Sequence, residues 1–429
     1  MAYGRHERTN TPVIEDRNVI CFASNWFYDP TSKHHVMRLL SERNHIIWVN
    51  YHASRRPRVS GADVGAVARK LRQFAEGPRR VCENITVLTP LVVPLPGNRA
   101  VAALNRRLLS RQIRRVLQGL PRRPVQMWSF APDVDYMCGR FDEECVVYYC
   151  VDEFSGFSGY DAKETRAAEV RLARRADLVI TTSQALYDSK RPLNQNTVLV
   201  THGVDFEHFA KATAPDMAVP ADIAALPRPV LGFWGLIQDW LDVPLVAAIA
   251  QARPAWSIVL IGEAATDVSS LAGLPNVHLL GRRAYEKLPA YARGLDVGLI
   301  PFRINELTRA VNPIKLREYL SAGLPVVSTP LPEVSRYGEL VSVAANAAEF
   351  VAACEEIFAT ERAEQSLIAK TADEGRGSRP DAEARQAAMR SETWSAKVAE
   401  ICEHVERCTH SRSVKNKHMI RVREDRAAR

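Results

Sequence analysis

Lys315 and Glu318 stand three residues apart in the run Asn312-Pro313-Ile314-Lys315-Leu316-Arg317-Glu318-Tyr319-Leu320-Ser321-Ala322-Gly323-Leu324-Pro325-Val326-Val327. That interval places a cation and a carboxylate on one side of a helix. Asn312 suits the N-cap and Pro313 the first helical position. Lys315 then falls in the first turn, where free backbone N–H groups and the helix dipole favour an anion. A phosphate at the cap with Lys315 beside it, and Glu318 one turn deeper for a ribose hydroxyl pair, would make a coherent nucleotide site. The plain alternative is a capped helix with a solvated polar side. Leu316, Tyr319, Leu320 and Leu324 form its apolar stripe, Gly323 and Pro325 end it, and Val326 and Val327 begin a buried strand.

Other chemistry-bearing residues lie nearer the start of the chain. Asn18–Ser24 and Ile46–Asn50 read as strands, with a helix over Lys33–Arg43 between them. The loop after the first strand, Ser24 to Pro30, holds Asn25 at the edge where parallel sheets bind ligands. His34 and His35 open the following helix, placed to touch an acceptor or to serve as solvated or capping side chains. No GxGxxG follows the first strand, which argues against an NAD-binding unit. Eight cysteines are scattered without a CxxC pair, the pattern of buried, reduced thiols.

The 429 residues suggest two or three domains of α/β type, and no apolar run is long enough to span a bilayer. Met1–Arg17 has no secretory apolar core, so the expected place is the cytoplasm. The net charge of +8 is uneven: Arg55–Arg123 holds 16 basic and three acidic residues, a surplus of 13. Much of it sits on an amphipathic helix over Asn98–Gly119. Val101, Leu104, Leu108, Leu109, Ile113 and Leu117 form one side of it, and Arg106, Arg107, Arg111, Arg114 and Arg115 the rest. Such a helix can lie on an anionic membrane at the inner face through Arg99–Arg123, or pack its stripe on the sheet with arginines in water. Nucleic acid is the weaker partner, because aromatics are not interleaved with the basic residues.

From Pro301 to Thr329 the chain resembles the nucleotide-sugar motif of the group 1 retaining glycosyltransferases, and in particular the exopolysaccharide and teichuronic-acid type enzymes. Cys150–Phe157 and His202–Phe209 carry the same resemblance. It implies a GT-B fold: two Rossmann-like doubly wound domains facing a cleft, at 13–212 and 225–375. A C-terminal helix at 381–408 would return to the first domain, and a basic tail at 411–429 is expected to lack order. The motif's second glutamate, which contacts the donor ribose, falls on Glu318; the first, which reads the sugar, falls on Ala310, with Glu306 nearby. Family members place an Arg and a Lys after the glycine that here is Gly235, and the loop Leu236–Asp242 has neither. Lys315, with Arg282 and Arg309, would then hold the diphosphate.

Asp152 stands near the strand end where many relatives carry a histidine. It would orient the acceptor or stabilise an oxocarbenium-like centre, or simply cap a helix. His202 and Gly203 lie in the family's exit into the cleft, where Gly203 would let the backbone approach the donor and His202 would contact ligand or hold the linker. Asp133-Val134-Asp135 matches a metal-binding triplet of another glycosyltransferase fold, or supplies dipole partners to a short helix. No metal or other cofactor is expected. The implied reaction moves a sugar from a nucleotide-sugar donor to a saccharide or lipid-linked hydroxyl with retention. Its rivals are an epimerase or hydrolase on the same fold, and a non-catalytic nucleotide-sugar or saccharide-binding subunit of an envelope polysaccharide assembly.

Overall fold

A computed structural model describes residues 14–51, 72, 74, 76–90, 99–371 and 381–427. The first sheet is built from β1 (Asn18–Ala23), β2 (His45–Asn50), β3 (Arg79–Cys82), β4 (Ile85–Leu88), β5 (Val125–Ser129), β6 (Cys145–Cys150), β7 (Leu178–Thr181) and β8 (Thr197–Leu199). Their order is β3-β4-β2-β1-β5-β6-β7-β8, and all pairs are parallel except β3 with β4. The second sheet comprises β9 (Val230–Trp234), β10 (Ser257–Ile261), β11 (Val277–Leu279), β12 (Val297–Ile300), β13 (Val326–Ser328) and β14 (Ser342–Val343). It runs β11-β10-β9-β12-β13-β14, all parallel. Strands such as β6 and β10 are buried at every position, as expected for sheets covered on both faces. Each sheet reverses direction of winding beside its first strand, so crevices open at the carboxyl ends of β1/β5 and β9/β12.

The β5, β6, β9 and β10 boundaries are those read from sequence. The short edge strands β3 and β14 are not apparent from it. The helix expected over Gly61–Ala75 lies outside the described residues, apart from helical Arg72 and Phe74. The segment Lys211–Pro229 that joins the two sheets holds a 3-10 turn at Lys211–Thr213 and a helix at Ala221–Ala224, with Ala212 and Ile223 in the core.

The basic helix spans Arg99–Gln118. Leu109 and Ile113 are fully buried against the first sheet, while Arg107, Arg111, Arg114 and Arg115 are exposed. Its stripe therefore packs on the sheet, and only Leu104 among the large apolar residues named for it stands out in solvent.

The C-terminal region does return to the first domain. After a helix at Ala382–Met389, a second begins at Trp394, and its Trp394, Val398, Ile401, Cys402 and Val405 join the first-domain core. That helix continues to Ala427, through the segment expected to lack order. The run from Ser411 contains neither Gly nor Pro, so nothing in its backbone stops a helix already anchored at Trp394. All eight cysteines are free thiols, six of them buried. No helix among the described residues is long and apolar enough to cross a membrane.

Candidate active site in the interdomain cleft

The helix that carries Lys315 and Glu318 spans Ile314–Ser321, with Pro313 rather than Asn312 at the N-cap. Leu316, Tyr319, Leu320 and Leu324 are all fully buried, as their spacing requires. Tyr319 pins the helix to the switch point. Its hydroxyl accepts the Trp234 N–H at 3.3 Å and donates to the Leu299 carbonyl at 3.3 Å, so it ties β9 to β12. A Cβ on Gly298 would overlap its ring, so only glycine admits this contact.

Lys315 and Glu318 do not form a solvated face. Glu318 is buried, and its Oε2 accepts from the Trp234 indole N–H at 2.7 Å and pairs with Lys315 Nζ at 3.2 Å. Lys315 keeps about a quarter of its side chain exposed, at 26%. Its Cε would stand 2.9 Å from a Cβ placed on Gly235, which has φ +138°. A Cβ on neighbouring Gly262, at φ +158°, would overlap the Gly235 carbonyl. Two glycines at the ends of β9 and β10 thus let the backbone pack closely while Lys315 lies across it. Trp234, which sequence reasoning passed over, is the residue that aims Glu318.

Asn312 is not a phosphate cap. Its amide donates to the Thr182 carbonyl at 2.8 Å and to Glu333 at 3.2 Å, and its Oδ1 accepts from Arg317 at 2.5 Å. Its amide is thus shared between the first domain, through Thr182, and its own domain, through Glu333 and Arg317. Ala310, at the position of the missing glutamate, packs into the first-domain core, and its carbonyl accepts from Ser183 at 2.6 Å. A carboxylate could not enter that contact without desolvation. Glu306 instead pairs with Arg166 of the first domain at 3.1 Å.

Arg282 is engaged across the cleft by Asp29, at 2.6 and 3.0 Å, with both side chains more than half exposed. Arg309 is exposed at the end of the short helix Glu306–Arg309. Asn25, on the Asp29 loop, accepts the Phe27 N–H at 3.2 Å, which shapes the turn.

His34 is buried between Trp26 and Trp48, with Nε2 3.1 Å from the Trp26 carbonyl and Nδ1 against Thr31 in a capping box. It serves the local fold and faces no cleft. Gly203 is needed for a different neighbour from the expected one: a Cβ there would meet the Trp394 backbone nitrogen at 2.7 Å. The returning chain, not a donor, makes that close approach. His202 is buried beside Trp394. Asp133 lies against the Tyr51 hydroxyl, and Asp135 pairs with Arg171 at 3.0 Å.

Asp152 is half-buried just beyond β6. Burial pushes its carboxyl up to about 7, against the pull of Lys33 and with some help from the Glu153 charge. Burial likewise lowers Lys33, opposed by Asp152 and Cys21. Lys33 is a partner that the sequence signalled only by its place in the first turn after β1. Below Asp152 lies a buried cluster. Lys190 Nζ reaches Glu169 at 2.8 Å and Glu153 at 3.5 Å, and Tyr148 donates to Glu169 at 2.5 Å. Glu153 also accepts from Ser155 at 2.5 Å. The loop then meets the second domain, where Phe157 packs edge-on to Trp240 and Gly156 faces Leu307.

The raised Asp152 pKa has a signed consequence. The folded protein holds a proton that the unfolded chain releases between pH 3.8 and about 7, so this group lowers stability as pH rises through that window. Asp152→Asn is expected to remove that slope and raise the melting midpoint at pH 8. Thermal melts of both proteins from pH 4 to 8 check it; parallel curves would show that the carboxyl is already ionised.

Residues 228–360 match a family model described as glycosyl transferases group 1. The chain is 31% identical over 253 residues to a relative named as the teichuronic acid biosynthesis glycosyltransferase TuaH of Bacillus subtilis (strain 168). The match covers 54% of this chain and 63% of that relative, so it spans less than two thirds of TuaH. Among solved structures, sucrose-phosphate synthase from Thermosynechococcus elongatus superposes with a TM-score of 0.65 at 12% identity, over 92% of this chain and 100% of that one. Anabaena HepE in complex with UDP-glucose superposes with a TM-score of 0.60 at 15% identity, over 91% of this chain and 99% of that one. Residues 228–360 thus match the group 1 glycosyl transferase model, and the two-sheet architecture of the chain is a GT-B fold, as its superposition on these solved structures shows.

Proposed function

We propose that the protein transfers a sugar from a nucleotide-sugar donor to a hydroxyl of a saccharide or lipid-linked acceptor, with retention and without metal. The observation that carries this reading is Lys315 lying across Gly235 and held by Glu318, at the crevice of the domain that matches the group 1 model. A cation there, with glycine backbone close by, suits a leaving diphosphate. HepE, which shares the fold, is described with UDP-glucose bound. Glu318, Gly235, Arg282 and Arg309 belong to the donor side of this reading, and Arg282 must leave Asp29 to reach a donor. Asp152 with Lys33 faces the reacting centre, and the Asn25 loop lies toward the acceptor. The exposed arginines of the Arg99–Gln118 helix are the surface for an anionic membrane.

Two observations favour the non-catalytic rival. The sugar-reading position is Ala310, sealed into an interdomain contact, and loop Leu236–Asp242 lacks Arg and Lys. Titration with UDP-glucose and GDP-glucose, followed by thermal shift and product analysis, separates the two. Binding raises the midpoint in either case; a glycoside product supports transfer, and binding without any product supports the rival.

A further inference from the structure

The helix that returns to the first domain, Trp394–Ala427, lays one side on the first sheet. Val398, Ile401 and Val405 recur on that side at helical spacing, and Cys408 is the next position of the same stripe. Alternation along β6 supplies the opposite wall. Cys145, Val147 and Tyr149 face the core that the returning helix enters, whereas Val146, Tyr148 and Cys150 face the other one. Cys145 and Cys408, far apart in sequence, therefore meet across one packed layer. Their thiols are within hydrogen-bonding contact.

Backbone bonds hold the helix in this register. Cys408 Sγ donates to the Asp177 carbonyl at 2.9 Å. Asp177 is in turn bonded twice to the residue after Cys145. Its N–H donates to the Val146 carbonyl at 2.8 Å, and its carboxylate accepts the Val146 N–H at 2.8 Å. The two sulfurs differ in access: Cys145 is fully buried, and Cys408 is partly exposed. The hydrogen bond with Cys408, and then burial, push the Cys145 thiol well above its ordinary range. Any reagent therefore meets Cys408 first, and capping Cys408 removes the larger of the two causes that restrain Cys145.

We propose that Cys145 and Cys408 are an oxidation site, at which a small-molecule disulfide converts the two thiols into a bond that staples the returning helix to the first sheet. In the first step the Cys408 sulfur attacks one sulfur of the reagent. A mixed disulfide forms, and the other half leaves as a thiolate that takes up the Cys408 proton. In the second step the Cys145 sulfur attacks Cys408 and expels the remaining half, which takes up the Cys145 proton. Two protein thiols are oxidised and one small disulfide is reduced to two thiols. Cys82, exposed on the edge strand β3, is the side chain at which a mixed disulfide could compete.

Oxidised glutathione added to the full chain carrying Cys82→Ser tests this. The thiol count of the unfolded chain is expected to fall by two, and peptide mass mapping to find Cys145 joined to Cys408. The melting midpoint should rise by roughly 4–16 °C, because the bond closes a long loop of chain, and a reductant should reverse the rise. Adding Cys408→Ser, which keeps a hydroxyl for the Asp177 carbonyl, should abolish both the joined peptide and the rise. Cys408→Ala serves if that variant does not fold, with the same loss expected. Glutathione retained on Cys408, pairing of either cysteine elsewhere, a joined pair without a higher midpoint, or a rise that persists in the variants would each overturn the proposal. The outcome does not depend on any sugar donor.

Discussion

Lys315→Ala is expected to weaken UDP-glucose binding by about 10- to 100-fold and to leave the fold intact. A hydrogen bond to a charged group is worth ~1.5–3 kcal/mol, which corresponds to that range. Lys315 is the cation that lies over the Gly235 backbone, whereas Arg282 is held by Asp29 and loop Leu236–Asp242 contains no Lys or Arg. The fold should tolerate the change because Lys315 is partly exposed and Glu318 keeps its bond to the Trp234 indole. Isothermal titration with UDP-glucose, beside a thermal melt of the free protein, measures both halves. Equal affinity in variant and wild type would mean that the diphosphate sits elsewhere.

Lys190→Met should produce the largest loss of stability, about 3–5 kcal/mol, the scale on which breaking a buried ion pair is felt. Lys190 is 5% exposed and faces Glu169, which is 3% exposed, and Glu153. Burial opposes its charge, but the surrounding acidic groups outweigh burial and hold its pKa above the ordinary lysine range. Glu153 shows the converse: burial opposes its charge, and Lys190 and Ser155 hold its pKa below the usual value. Methionine would leave two buried carboxylates without a cation. For a domain of about 200 residues, ~4 kcal/mol lowers the melting midpoint by roughly 8–16 °C.

The pH dependence identifies the cause. In the wild type, the depressed Glu153 contributes stability above pH 4.5 that is lost as pH falls through its folded value. In the variant, the acid form becomes the favoured one, so the deficit should shrink toward pH 4.5. Melts at pH 7.5 and 4.5 read this directly; a deficit equal at both would place the damage in packing and not in charge. Asp152 stands one residue before Glu153, so the same change should disturb its loop.

The elements of this chain were legible locally. Buried parallel strands read as apolar runs, and the stripe Leu316, Tyr319, Leu320, Leu324 read as a core-facing helix, because burial demands those periods wherever they occur. The ion pair of Lys315 with Glu318 followed the same logic, since helical spacing alone puts the pair together; the contact of Lys315 with Gly235, on a different element, did not. Asn312 shows where this stops. Its side-chain chemistry fits a cap, yet an amide with four bonding positions takes whichever partners tertiary packing presents, here Thr182 of the other domain and Glu333 and Arg317 of its own.

Gly203 and His34 teach the same point. A glycine signals a close approach but does not name what approaches, and here it is the Trp394 backbone, 191 residues farther along. A histidine after a strand end signals chemistry, yet His34 turned inward because Trp26 and Trp48 offer an apolar slot and a carbonyl. The amino-acid order by itself determined the alternating α/β elements, the cation–carboxylate pair and the family likeness, all of which rest on short-range spacing. Which side chains share the cleft, which close the joint, and which carboxylates are stripped of water were decided only when the two sheets and the returning helix packed. Desolvation and interdomain hydrogen bonding act between residues that sequence separation keeps far apart.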